Sequence, residues 1–129
     1  MSNLKTEKYQ LNILGKPLQV CSLEPNTGFF RDGCCNTDMT DFGSHTVCAE
    51  VTEEFLLFSK NAGNDLSTPR PELGFSGLKP GDRWCLCASR WLEAAENGAA
   101  PEIIANATNA AATQLVPKHL LLKYSIKYN

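Results

Sequence analysis

Apolar and polar residues alternate most clearly in His45-Thr-Val-Cys-Ala-Glu-Val51. A period of two puts His45, Val47, Ala49 and Val51 on one face of a strand, with Thr46, Cys48 and Glu50 on the other. The period then changes. Thr52 suits an N-cap, Glu53 and Glu54 suit the positive end of a helix dipole, and Phe55, Leu56 and Phe58 supply an apolar side. Gly63 is a stop signal, so the pattern predicts a helix over about 52–62.

A second alternating run, Arg83-Trp-Cys-Leu-Cys-Ala88, follows Lys79-Pro-Gly-Asp82. That tetrapeptide has proline and glycine where a type II turn wants them. Trp84, Leu86 and Ala88 form its core face, and Arg83, Cys85 and Cys87 the opposite one. A helix from about Ser89 to Glu96 is predicted next, ended by Asn97-Gly98. Shorter elements are predicted around these. Leu11–Leu14 and Pro17–Cys21 read as strands about Gly15-Lys16, and Pro101–Asn106 as another. Thr108 caps a short alanine-rich helix reaching Leu115, and Pro117–Tyr124 forms a last helix packed through Leu120 and Leu121. Residues 1–9 read as a flexible lead-in, and 10–129 as one domain. Strands and helices intersperse without regular βαβ phasing, so the fold class is α+β with a small, largely antiparallel sheet, three to four helices and long ordered loops.

Two stretches resist regular structure. Residues 22–41 are rich in turn formers yet carry Phe29, Phe30, Arg31 and the Cys34-Cys35 pair, which predicts a loop that packs down. Residues 64–82 contain Pro69, Pro71 and Pro80, each removing a donor and restricting its predecessor.

Composition narrows the function. The 129 residues carry a net charge of −2, which argues against a nucleic-acid binder or a polybasic membrane anchor. No apolar run approaches the roughly 20 residues that cross a bilayer. The opening residues are polar and lack the apolar centre of a signal peptide. The expected location is therefore cytoplasmic, with no nucleic-acid or membrane partner.

Against that address stand six cysteines: Cys21, Cys34, Cys35, Cys48, Cys85 and Cys87. In a reducing compartment they are not expected to form a disulfide frame. They read instead as buried small hydrophobes, as metal ligands or as reactive thiols. Cys85 and Cys87 share a strand face about 6–7 Å apart, too far to close on each other. Cys34 and Cys35 point apart unless Gly33 bends the chain. With His45 and Cys48 they supply enough nitrogen and sulfur for a soft metal such as zinc, although no spacing matches a strong zinc motif. The candidate metal set is Cys34, Cys35, His45, Cys48, Cys85 and Cys87.

The polar candidates for a small ligand are Arg31, Asp32, Asp65, Asp82 and Arg83. A cation at Arg83 would favour thiolate at Cys85 or Cys87, whereas a surface pair would contribute little. Asp65-Leu-Ser-Thr-Pro69 also reads as a loop held by Asx and Ser/Thr turns. No glycine-rich phosphate loop, H-E-x-x-H helix or Gly-x-Ser-x-Gly elbow is present.

Four segments in order, Gly33-Cys-Cys-Asn36, Ser44-His-Thr-Val-Cys-Ala49, Gly63-Asn-Asp-Leu-Ser-Thr-Pro69 and Gly77–Ala88, closely resemble the bacterial family known as domain of unknown function 2237 (DUF2237). The resemblance runs from about Leu14 to about Leu121 and implies a compact α+β domain, with no function attached. The chain departs from the family pattern at Thr108-Asn109, where Thr-His is expected. It departs again at Asp38-Met39, in place of Gly-Pro, and at Leu73 and Ser76, in place of Phe and Pro.

Three functions follow from these residues. The first is a binding domain in which both long loops and the cysteine segments converge on one pocket for a small ligand or metal ion. The second is a thiol enzyme with Cys35 or Cys87 as nucleophile and His45 as base. The third is an interaction module using loop 68–80.

Overall fold

The two alternating segments form strands, and they pair with each other. In the computed structural model, which describes residues 10–126, β1 (His45–Glu50) runs antiparallel to β2 (Arg83–Cys87). The register sets Val47 against Leu86, Cys48 against Cys85, Ala49 against Trp84 and Glu50 against Arg83, with an irregularity between His45 and Val47. The predicted flexible lead-in, residues 1–9, lies outside the described residues.

The period of two separates two faces. Val47, Ala49, Trp84 and Leu86 enter the main apolar core. Helix α1 (Glu53–Asn61) joins that core through Phe55 and Leu56. Thr52 caps it as expected, its hydroxyl accepting the Phe55 N–H at 3.0 Å. Helix α2 (Ala88–Glu96) follows β2 without a loop and packs on both strands. Its Trp91 is fully buried, donates Nε1–H to the Pro101 carbonyl at 3.0 Å and meets the Tyr124 ring edge-on. Helix α3 (Lys118–Lys123) closes the core with Leu121. Two strands and three helices make this a small α+β domain. Among the described residues no helix is long and apolar enough to cross a membrane.

The shorter strands were over-read. Leu11 and Pro17 meet in a single bridge, because the turn at Gly15 separates them by too few residues for a ladder. Ile103 makes single bridges to Ala49 and Ser125, after which 105–107 turns into one 3₁₀ loop. The alanine-rich segment is also a 3₁₀ turn, Ala110–Gln114, and its cap is Asn109 rather than Thr108. Thr108 is spent inside: its hydroxyl donates to the Ile104 carbonyl and accepts the Cys48 N–H.

On the second face of the sheet the register has a chemical result. Opposed residues of an antiparallel pair hold their Cβ atoms about 4.5–5.5 Å apart, so Cys48 and Cys85 lie side by side. Each is bonded to a cysteine in or next to the 22–41 loop: Cys21, just before it, to Cys48, with Cα atoms 5.7 Å apart, and Cys35, within it, to Cys85, 5.3 Å apart. The expectation that the cysteines would not form disulfides is thus corrected for four of the six. The bridges span 27 and 50 residues and their loops interlock. Chain-entropy arithmetic assigns closures of this length about 3–4 kcal/mol each. These two covalent ties hold the long loop to the sheet, but Phe29 and Phe30, from which its packing was predicted, stay 40% and 46% exposed.

Candidate functional site

Above the disulfides, the two long loops meet the sheet around a cleft of about 350 Å³. The first loop contributes Gly28, Phe29 and Arg31. The second contributes Asp65, Leu66, Arg70, Leu73 and Phe75, and the strands contribute His45, Trp84 and Cys85. The loops converge as expected, but the sulfur atoms do not line the opening. Cys35 and Cys48 are buried in the disulfides, with Cys85 alone among the bonded four reaching the wall. Cys34 and Cys87 are free thiols. Cys87 lines an adjoining hollow of about 200 Å³ with His45, Cys85, Trp84 and Arg90.

The cleft is basic and aromatic. Trp84 packs beside Phe75, with ring centroids 5.4 Å apart. The Arg31 guanidinium lies over the Trp84 ring, 5.1 Å from its centroid, a cation–π geometry. Arg31 adopts a left-handed backbone, φ 57°, a conformation that costs a non-glycine residue roughly 1–2 kcal/mol. The loop around it supplies the compensation: Asn26 donates to the Arg31 carbonyl at 2.7 Å, and the Arg31 N–H donates to Gly28 at 3.0 Å. Gly28 has no substitute here, since a Cβ would run into the Cys34 carbonyl. Arg70 sits at the neck of a tight hairpin, exchanging two backbone hydrogen bonds with Phe75. Among the described residues neither Arg31 nor Arg70 pairs with a carboxylate.

His45 is positioned by three contacts. Its Nδ1 lies 2.6 Å from the Asp41 carboxylate, its ring stacks on Phe29 at 6.1 Å, and it covers Gly43, where an added Cβ would lie 2.7 Å from Cε1. The Asp41 side chain is fully buried while that of His45 is 40% exposed. Burial pushes the Asp41 carboxyl up, but hydrogen bonds from the His45 ring and backbone N–H and from Thr37 outweigh it and hold it below the usual aspartate range. An imidazole oriented by a buried carboxylate can accept or deliver a proton at its other nitrogen.

The remaining candidates serve the loops. Asp32 accepts the Cys34 N–H and the Asn36 amide. Asp65 accepts the N–H groups of Ser67 and Thr68 and the Thr68 hydroxyl, which lowers its pKa, the hydroxyl bond first. The Asx-turn reading of that segment therefore holds, with Asp65 at the cleft edge. Asp82 closes the 79–82 turn by accepting the Lys79 N–H at 2.9 Å. Arg83 pairs across the strands with Glu50 at 3.3 Å, so it does not act as the cation beside Cys85. Asn109 is buried; it donates to the Cys35 carbonyl and to Gln10.

Of the proposed nucleophiles, Cys35 is excluded in this state by its bond to Cys85. The Cys34 thiol is pushed up by burial and by the nearby Asp32 charge, which keeps it protonated. Cys87 faces His45 across the ladder, with its sulfur 3.3 Å from the Ser89 hydroxyl. Sequence reasoning missed Asp41 and Arg70. The i, i+4 spacing of Asp41 and His45 was the available signal.

What the fold and site define is a small α+β domain, braced by two disulfides beneath an arginine- and aromatic-lined cleft. The chain matches the family described as an uncharacterised protein conserved in bacteria (DUF2237) over residues 11–125, and it belongs to that family. No curated protein matches it.

The Asp41 carboxyl has a pH consequence. A carboxyl whose folded pKa is depressed contributes stability that is complete above its unfolded value, near 3.9, and is lost as pH falls through the folded value. Asp41→Asn should flatten that part of the acid limb in a pH series of thermal unfolding. An acid limb unaltered in Asp41→Asn would contradict the assignment.

Proposed function

We propose that this domain binds a small anionic ligand with a planar or apolar part, in the cleft between Arg31, Arg70, His45 and Trp84. The observation that carries the reading is the pair of arginines that, among the described residues, have no carboxylate partner, beside an aromatic floor. A guanidinium left unpaired at a concave, partly apolar surface favours a bidentate carboxylate or phosphate. Phe29, Phe75 and Trp84 supply stacking area, and the strained Arg31 backbone fits a residue held in place for contact. The second loop, read from sequence as a possible protein-contact surface over 68–80, provides one wall through Arg70, Leu73 and Phe75. A metal ion has no thiolate set in the oxidised protein, since Cys35, Cys48 and Cys85 are spent in disulfides. A cytoplasmic address is part of the proposal.

Thermal-shift and calorimetric titration against aromatic carboxylates and phosphate monoesters tests the cleft. At least one class should bind, and Arg31→Ala or Arg70→Ala should weaken it about tenfold or more, in line with about 1.5–3 kcal/mol for a charged hydrogen bond. Affinity unchanged in both variants would contradict the proposal.

A second reading has one specific observation in its favour: Cys87 is free and stands opposite the Asp41-oriented His45. A thiol enzyme would use Cys87 as nucleophile and His45 as base. Pulse alkylation at neutral pH should then label Cys87 faster than a free cysteine, with His45→Asn removing the excess. A Cys87 rate at or below that of free cysteine would end this reading.

A further inference from the structure

The bonded cysteines form one cluster rather than two separate bridges. The sulfur atoms of Cys21, Cys35 and Cys85 all lie within 4.8 Å of one another, and Cys48 is bonded to Cys21. All four residues are buried, packed with Ile104 and Ala107 and flanked by Ile126. They come from four places: two loop positions and two opposed strand positions. We infer that, once both bonds are reduced, Cys21, Cys35, Cys48 and Cys85 form a closed four-thiolate site for a divalent, thiophilic metal such as zinc. The site shares Cys85 with the cleft wall and uses a different donor set from the one the sequence pattern raised, adding Cys21 and leaving out Cys34, His45 and Cys87.

Geometry supports the assignment. Zinc–sulfur bonds of about 2.3 Å place the corners of a tetrahedron about 3.8 Å apart. Three sulfurs already within 4.8 Å need only small side-chain rotations to reach those corners. The fourth, on Cys48, is fixed next to Cys85 by the strand register. The cross-strand Cβ spacing of about 4.5–5.5 Å suits two ligands of one ion. All four residues are buried among apolar side chains, which marks a structural centre rather than a catalytic one.

The chemistry balances. A phosphine gives two electrons to each S–S bond and becomes its oxide with oxygen from water, and the protons of that water end on the two thiols. Two such steps yield four thiols. Binding of one Zn²⁺ converts them to thiolates and releases four protons, so uptake strengthens as pH rises. The metal would replace the disulfides as the tie between the 22–41 loop and the sheet, giving the fold one brace for each redox state.

The test uses the full chain, reduced anaerobically with phosphine and freed of reagent, then titrated with Co²⁺. A Cys34→Ser/Cys87→Ser variant, which keeps only the buried four, should take up one equivalent with the intense visible bands of tetrahedral thiolate cobalt. Zn²⁺ should displace it. Cys48→Ser in that background should lose those bands and weaken binding at least tenfold. Circular dichroism covers the case in which reduction loosens the chain: metal addition should restore the folded spectrum. Three results would each overturn the inference: no uptake by the double variant, uptake that leaves the chain unfolded, or equal uptake after Cys48→Ser.

Discussion

The opposition of Cys48 and Cys85 across the two-stranded ladder organises this molecule. A two-stranded sheet alone is marginal in water. Here one face is covered by α1, α2 and α3, and the other by a loop that lacks regular structure of its own. Two bonds, from Cys21 to β1 and from Cys35 to β2, hold that loop down. They interlock, so neither end of the 22–41 loop can lift without straining the other. Hydrogen bonds extend the grip: the Thr27 hydroxyl accepts the Cys85 N–H, and the Asn109 amide donates to the Cys35 carbonyl.

The cleft depends on this clamp. Gly28, Phe29 and Arg31 lie between the two tied cysteines, so the bonds that pin the loop also place the Arg31 guanidinium over Trp84. His45 is fixed from the same side, by Phe29 stacking and by Asp41 near the loop's end. The opposite wall is held differently, through Asx and hairpin hydrogen bonds around Asp65 and Arg70. A covalently tied wall therefore faces one held by hydrogen bonds.

Much of the frame was legible in the residues. Period two in 45–51 and 83–88 placed both strands and assigned their core faces correctly, and Thr52, Gly63 and Asn97-Gly98 marked helix ends within a residue or two. The family match was legible too, because four motifs in order are far more specific than one. The disulfides were not. Their partners are 27 and 50 residues apart, and only the strand register brings them together, a fact no local spacing encodes. Reasoning from an assumed reducing compartment then pointed the wrong way. The site was half legible: Arg31, His45 and Asp65 reach the cleft, whereas Asp32, Asp82 and Arg83 proved to hold loops and strands. Arg70 carries no local signal of a site, because its flanking prolines mark only a break in regular structure and its place at the cleft follows from the Arg70–Phe75 hairpin.

Peptide mapping after alkylation without reductant tests this account most directly. Protein purified in air should yield Cys21 linked to Cys48 and Cys35 linked to Cys85, with the alkyl label on Cys34 and Cys87 alone. Any other pairing, or label on all six cysteines in folded protein, would contradict the clamp on which the loop, the cleft and the buried sulfur cluster all rest.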